Sequence, residues 1–144
     1  MAEGFLADDE ATEALGEALA RLTPPGGTWL LHGELGAGKT TWTRGFLRGL
    51  RGNPEDVASP TYAVLHRYEH PGGRLFHLDL FRTGAKGAWS LGLEEGLTAS
   101  DRLVVEWAGP DGPWPTDWVA HLTITLQGEG RHADWTLPGM PGAR

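Results

Sequence analysis

Residues Gly33, Glu34, Leu35, Gly36, Ala37, Gly38, Lys39 and Thr40 satisfy the pattern G-x-x-x-x-G-K-[ST] in full, and Thr41 follows directly. Each part of that spacing has a use in handling phosphate. Glycines let the backbone turn tightly and bring its N–H groups close to phosphate oxygens. A helix starting at Lys39 adds the positive end of its dipole. The Lys39 ammonium can reach the outer phosphates, and the Thr40 hydroxyl is a hard oxygen ligand suited to Mg²⁺. The chemistry this predicts is binding of a nucleoside triphosphate with Mg²⁺. Neither an N-K-x-D guanine reader nor a D-x-x-G switch accompanies the loop, so ATP is the expected nucleotide.

Phosphoryl transfer needs a second carboxylate near the metal and a group that places the attacking atom. Two strand acids compete for these roles. Glu106 ends the apolar run "RLVVE", the form of a Walker B strand with Glu in place of Asp. Asp79 sits between apolar neighbours in "FHLDLF", where a carboxylate calls for a partner. A salt bridge to Arg74 or Arg82 would serve Asp79 equally well, and Glu106 could simply face water at a strand end. The stretch "ASPTY" (58–62) reads either as a Pro-initiated turn or as a hydroxyl-bearing switch at a γ-phosphate.

These residues need a scaffold. "TWLLH" (28–32) is expected to be a short buried strand entering the loop, and a helix from Lys39 to Leu50 to leave it with Trp42, Phe46 and Leu50 on one face. Before them, residues 8–22 predict a helix capped by Asp8, with Ala11, Leu15, Ala18 and Leu22 on its apolar face and Ala14 and Leu19 beside them. "YAVLHRY" (62–68) and "RLFHLDLF" (74–81) predict strands joined by the turn "HPGG". A short helix around Leu91 to Leu97, a buried strand over "RLVVEW" (102–107) and a hairpin of 119–126 with 132–137 around "QGEGR" complete the reading. The expected fold is α/β: a P-loop-like mixed sheet with parallel core strands, antiparallel hairpins and helices on both faces.

The chain of 144 residues suits one domain spanning 1–144, with a frayed tail over 138–144. No apolar stretch approaches the roughly 18 residues of a membrane span, and the acidic start "MAEGFLADDE" lacks the form of a secretory signal. With no cysteine, thiolate metal sites and disulfides are excluded, and a cytoplasmic setting is the default expectation. A formal charge of −7 argues against direct grip on nucleic acid, which cations drive. The six histidines show no paired-ligand spacing, so His66 and His77 are expected to be hydrogen-bonded structural groups. Trp29 and Trp42 are expected in the core; Trp114 and Trp118 could form either a partner surface or a local cluster.

Taken in order, "GELGAGKTTWTRGFL", "SPTYAVLHRYEH", "HLDLFR", "LGLEEGL" and "VVEW" resemble the TsaE (formerly YjeE) family, over roughly residues 8–107. These are small bacterial P-loop ATPases needed to make threonylcarbamoyladenosine in tRNA. The resemblance implies that Lys39 binds phosphates, that Thr40 and Glu106 hold Mg²⁺, and that Asp79 lies by the γ-phosphate. It makes Thr61, with Ser59 and Pro60, the switch, sets Trp107 near the nucleotide, gives Arg82 a role at the switch or a partner, and puts the start of the first helix, Asp9 to Thr12, near the base. It further implies that a TsaD–TsaB pair transfers the threonylcarbamoyl group to the adenosine beside the anticodon. The TsaE-like protein would dock on that pair and reset it by hydrolysing ATP, meeting tRNA only indirectly. The chain departs from the family's H-x-D-x-Y-R by carrying Phe81, and Glu34 stands where Asp is common. Two other classes share the loop. A small-molecule kinase would need an arginine-bearing lid, which residues 83–101 support poorly. A nucleotide-dependent binding module would make hydrolysis incidental.

Overall fold

The computed structural model describes residues 2–34, 36–57, 65–80, 97–107 and 117–139. In chain order its elements are strand β1 (Ala2–Leu6), helix α1 (Asp9–Arg21), β2 (Thr28–His32), α2 (Lys39–Gly49), β3 (Leu65–His70), β4 (Gly73–Asp79), β5 (Arg102–Glu106), β6 (Val119–Gln127) and β7 (Gly130–Thr136). The strands form one sheet ordered β1-β7-β6-β2-β5-β4-β3. β2 pairs in parallel with both β5 and β6, and β4 with β5. The flanking β3–β4, β6–β7 and β1–β7 pairs are antiparallel. The expected mixed sheet with a parallel centre is therefore present.

Helices α1 and α2 lie on one face, where Leu19, Trp42, Phe46 and Leu47 pack on Trp29, Leu31, Val104, Leu122 and Ile124. The Trp29 and Trp42 rings, both fully buried, meet at 5.3 Å between centroids. Trp118 sets its edge against Trp29 and joins this core. Trp29 Nε1 donates to Thr23 Oγ1, which in turn donates to Leu19 O, so the end of α1 is tied to the start of β2. The opposite face gathers Leu30, Phe76, Leu78, Leu80, Leu103 and Val105, with Leu97 against them. The helix expected around Leu91 to Leu97 otherwise lies outside the described residues, as do Trp114 and the tail from 140.

Three expectations need correction. First, Ala2–Leu6 is a strand that composition alone did not reveal: "AEGFL" is a weak strand sequence, and it forms because its backbone pairs with β7 from Ala2↔Trp135 to Leu6↔Arg131. Second, the hairpin strands are longer than expected and the turn shrinks to Gly128 and Glu129 between Gln127 and Gly130. Third, α1 buries Thr12, Gly16, Leu19 and Ala20, while Ala14 and Ala18 are exposed and Leu22 is 60% exposed. The helix is rotated toward its small residues because α2 approaches at backbone distance. A Cβ on Gly16 would come within 2.9 Å of Phe46 N, and one on Gly49 within 2.8 Å of Ala20 Cβ. Hydrophobic periodicity cannot register a seam made of glycine. Glu13 and Glu17 flank it and pair with Arg44 and Arg48. The Asp8 cap is as expected, its Oδ1 accepting from Ala11 N at 2.8 Å.

Candidate functional site

The loop from Gly33 to Gly38 leaves the C-terminal end of β2 and runs into α2, as the motif requires. Its three glycines, Gly33, Gly36 and Gly38, all take positive φ, and the first and last show why most plainly. Gly33 has φ +146, and a Cβ there would collide with Ile124 O of β6. Gly38 has φ +115 and is the N-cap of α2, with no side chain capping the helix. The first-turn N–H groups of α2 are therefore left for another acceptor, the arrangement that suits an anion. Thr12 of α1 packs against this cap, 3.6 Å from a Cβ built on Gly38. The start of α1 thus borders the loop.

Lys39 is buried although it is a lysine. Its Nζ donates to Gly33 O at 2.6 Å and sits 3.7 Å from the centre of the Trp107 ring. Burial draws its pKa below the ordinary 10.5, and the charges of Glu106 and Asp79 partly oppose that fall. Those two carboxylates reach Lys39 because of sheet register. Glu106 ends β5 directly beside Leu31 of β2 on one side and Asp79 of β4 on the other. Glu106 is buried rather than facing water, and its Oε2 contacts His77 Nε2 at 2.5 Å. His77 is fully buried, and its Nδ1 lies 3.4 Å from Tyr68 Oη. Asp79 is half-buried. Arg74 does not serve it in the way considered above: its guanidinium is committed to Asp101, at 2.8 Å. Trp107, the residue after β5, takes a left-handed conformation, φ +61, which few non-glycine residues adopt, and sets its indole against the Lys39 ammonium.

The structure thus brings Gly33, Gly36, Ala37, Gly38, Lys39, Glu106, Trp107 and Asp79 to one end of the parallel strands, where Thr40 and Thr41 open α2 half-buried and Glu34 is exposed. Leu35, Ser59, Pro60, Thr61, Phe81 and Arg82 lie outside the described residues. Sequence reasoning missed three neighbours of this site. The His77 contact to Glu106 was foreshadowed only by the expectation that His77 is hydrogen-bonded. His32, the last residue of β2, stacks on His121 of β6 with centroids 5.5 Å apart, and the near ring nitrogens are 3.2 Å apart. Arg131 of β7 reaches the loop carbonyls of Ala37 and Gly36. The last two arise from strand pairing across the sheet, which no local spacing encodes. A cavity of about 260 Å³ bounded by Arg21, Arg51, His70 and Arg102 lies at the opposite end of the strands and is separate from this site.

Among the described residues no three His, Asp or Glu side chains converge as a metal cage. The hard oxygens of Thr40 and Glu106 suit Mg²⁺, which keeps several waters and leans on substrate phosphates rather than on a full protein cage. The donor chemistry fits that ion.

A parallel-centred sheet with a G-x-x-x-x-G-K-T turn between its first parallel strand and the following helix defines a protein of the P-loop fold. Comparison with known proteins narrows the class. Residues 6–133 match the family described as threonylcarbamoyl adenosine biosynthesis protein TsaE, and the chain belongs to that family. A tRNA threonylcarbamoyladenosine biosynthesis protein TsaE of Nostoc is 36% identical over 141 residues, covering 94% of this chain and 86% of the relative. One from Aquifex aeolicus is 37% identical over 112 residues, covering 77% and 80%. A crystal structure of Bacillus subtilis YdiB superposes with a TM-score of 0.72 at 27% identity, covering 96% of this chain and 86% of that one. The protein is therefore placed in the making of threonylcarbamoyladenosine in tRNA.

Proposed function

We propose that this chain is the ATPase of that pathway: it binds Mg-ATP at the loop and hydrolyses it while docked on a TsaD–TsaB pair, resetting the pair between cycles. The observation that carries the reading is the convergence of Glu106 and Asp79, which end two adjacent parallel strands, on Lys39 at the start of α2. A phosphate loop alone would bind. A cation with two carboxylates beside it supports chemistry as well.

Lys39 gives up its bonds to Gly33 O and the Trp107 face and turns to the outer phosphates. Backbone N–H groups of the loop and of the first turn of α2 hold the phosphate oxygens. Thr40 and Glu106 would hold Mg²⁺, which would supply positive charge to offset that of the outer phosphates. His77 keeps the Glu106 carboxylate in place from behind. Asp79 orients water in line with the γ-phosphate, and Thr61 senses that phosphate. Net negative charge fits a protein that docks on another protein and leaves tRNA to its partner.

The test is ATP turnover by the pure chain with and without a TsaD–TsaB pair from the same cell. Strong activation by the pair is expected. ATP binding that is weak and indifferent to the pair would reject the reading, and phosphate transfer to a small acceptor would replace it with a kinase.

A further inference from the structure

We propose that Arg131 is a positioning residue for the phosphate loop, and that the β6–β7 hairpin is the brace from which it acts. Its consequence for nucleotide binding rests on the function proposed above; its structural basis does not. Arg131 Nε donates to Ala37 O at 2.9 Å and Nη2 donates to Gly36 O at 3.3 Å, across 94 and 95 residues of chain. Nη1 donates to Gly130 O at 3.0 Å, which ties the guanidinium plane to its own strand. Arg131 is anchored in turn on both sides, opposite Leu126 of β6 and Leu6 of β1.

A trans peptide points its C=O and the next residue's N–H in opposite directions. With the carbonyls of residues 36 and 37 drawn toward β7, the N–H groups of residues 37 and 38 must point away from it. The Ala37 N–H closes a turn onto Glu34 O at 3.1 Å. The Gly38 N–H is thereby aimed to the side of the loop away from Arg131. The hairpin also sets the loop's first residue, because Ile124 O occupies the space where a Cβ of Gly33 would be. One hairpin therefore holds the loop at its start and again at its middle.

A loop this rich in glycine has the most conformational freedom to lose when it closes on phosphate. Fixing it beforehand lowers that cost and raises affinity. Only the arginine fork can hold two carbonyls and its own backbone at once; a lysine ammonium has neither the spread nor the plane.

The test pairs amide hydrogen exchange on the nucleotide-free chain with ATP kinetics and binding, for wild type, Arg131→Ala and Arg131→Lys. In Arg131→Ala, the Ala37 amide, which bonds Glu34 O, is expected to exchange faster while those of α1 and β2 keep their protection. The KM for ATP should rise about tenfold, the scale of one hydrogen bond from a charged donor, with a smaller change in kcat. Arg131→Lys should fall between the two. Unchanged loop exchange in Arg131→Ala would overturn the proposal. So would a loss of protection spread evenly over the hairpin and α2, which would mark a merely structural side chain. If wild type fails to bind ATP yet its loop loosens on substitution, the function proposed above fails and the brace stands.

Discussion

Replacing Gly45 with alanine reverses the usual sign of a helical glycine-to-alanine change. In an open helix interior, alanine is favoured over glycine by about 1 kcal/mol. In α2 the added Cβ would lie 2.6 Å from the carbonyl carbon of Glu13 and 2.7 Å from its Cα, both backbone atoms of α1. Neither can rotate away, so the helices must part by about 1 Å. A gap of that size forfeits a quarter to a half of each dispersion contact along the seam. Together with overpacking strain of about 1–3 kcal/mol, this outweighs the gain in propensity and leaves a net loss of about 3 kcal/mol. For a chain of this length that loss lowers Tm by roughly 6–12 °C. Urea unfolding followed by tryptophan fluorescence and by far-UV circular dichroism measures it, since Trp29 and Trp42 lie beside the seam. The same parting moves Thr12 away from Gly38, so ATP affinity should fall together with stability. A Gly45→Ala protein as stable as wild type, or more so, would refute the close crossing and the rotation of α1 argued from it.

Lys39→Ala should abolish ATP turnover, because no other described side chain replaces an ammonium held between Gly33 O and Trp107; normal turnover would sink the proposed mechanism. Stability should rise with pH on the acid side of neutrality. Burial, as the leading cause in each, holds His32, His66 and His70 below their ordinary 6.5, aided by His121 and Lys39, by His77, and by Arg102 respectively. The unfolded chain then binds more protons in this range, so the contribution is full above about pH 6.5 and is lost as pH falls through the lower folded values; equal unfolding free energies at pH 5 and pH 7.5 would contradict this. Asp8→Ala removes the cap on α1 and should cost about 1 kcal/mol in urea unfolding, a loss that Asp8→Asn should largely restore.

What was legible in the sequence was local. The loop, the strand before it and the helix after it follow from glycines, an apolar run and a lysine within a short span, and local chemistry decides all three. The parallel centre was legible because a phosphate loop between strand and helix implies a crossover. The placing of Glu106 and Asp79 beside each other was less so: each looked like a strand acid, and only register at Asp79↔Glu106 makes them neighbours. Where tertiary contacts override local pattern, reading failed. The buried side of α1 follows glycine, not leucine, and β1 is a strand because β7 lies beside it. Asp101, an acid in a loop by sequence, collects Arg74 and both the N–H and hydroxyl of Thr98. Burial alone would raise its pKa, and those partners hold it below the ordinary 3.8 instead.

Pairing of Ala2 with Trp135 has a consequence for the order of assembly. β1 has no strand partner until β7 leaves the ribosome, and β2 must wait for both β5 and β6. Only α1 against α2, β3 against β4 and β6 against β7 can form from nearby chain. Sequence separations this long slow folding, since loop closure must precede the contacts that reward it. A nascent chain stalled before residue 130 would therefore carry its glycine loop, yet would lack both the arginine that sets it and the strand that ties β1 to the rest of the sheet. On the brace proposed above, setting of the loop becomes a late event, reached only when β7 joins the sheet.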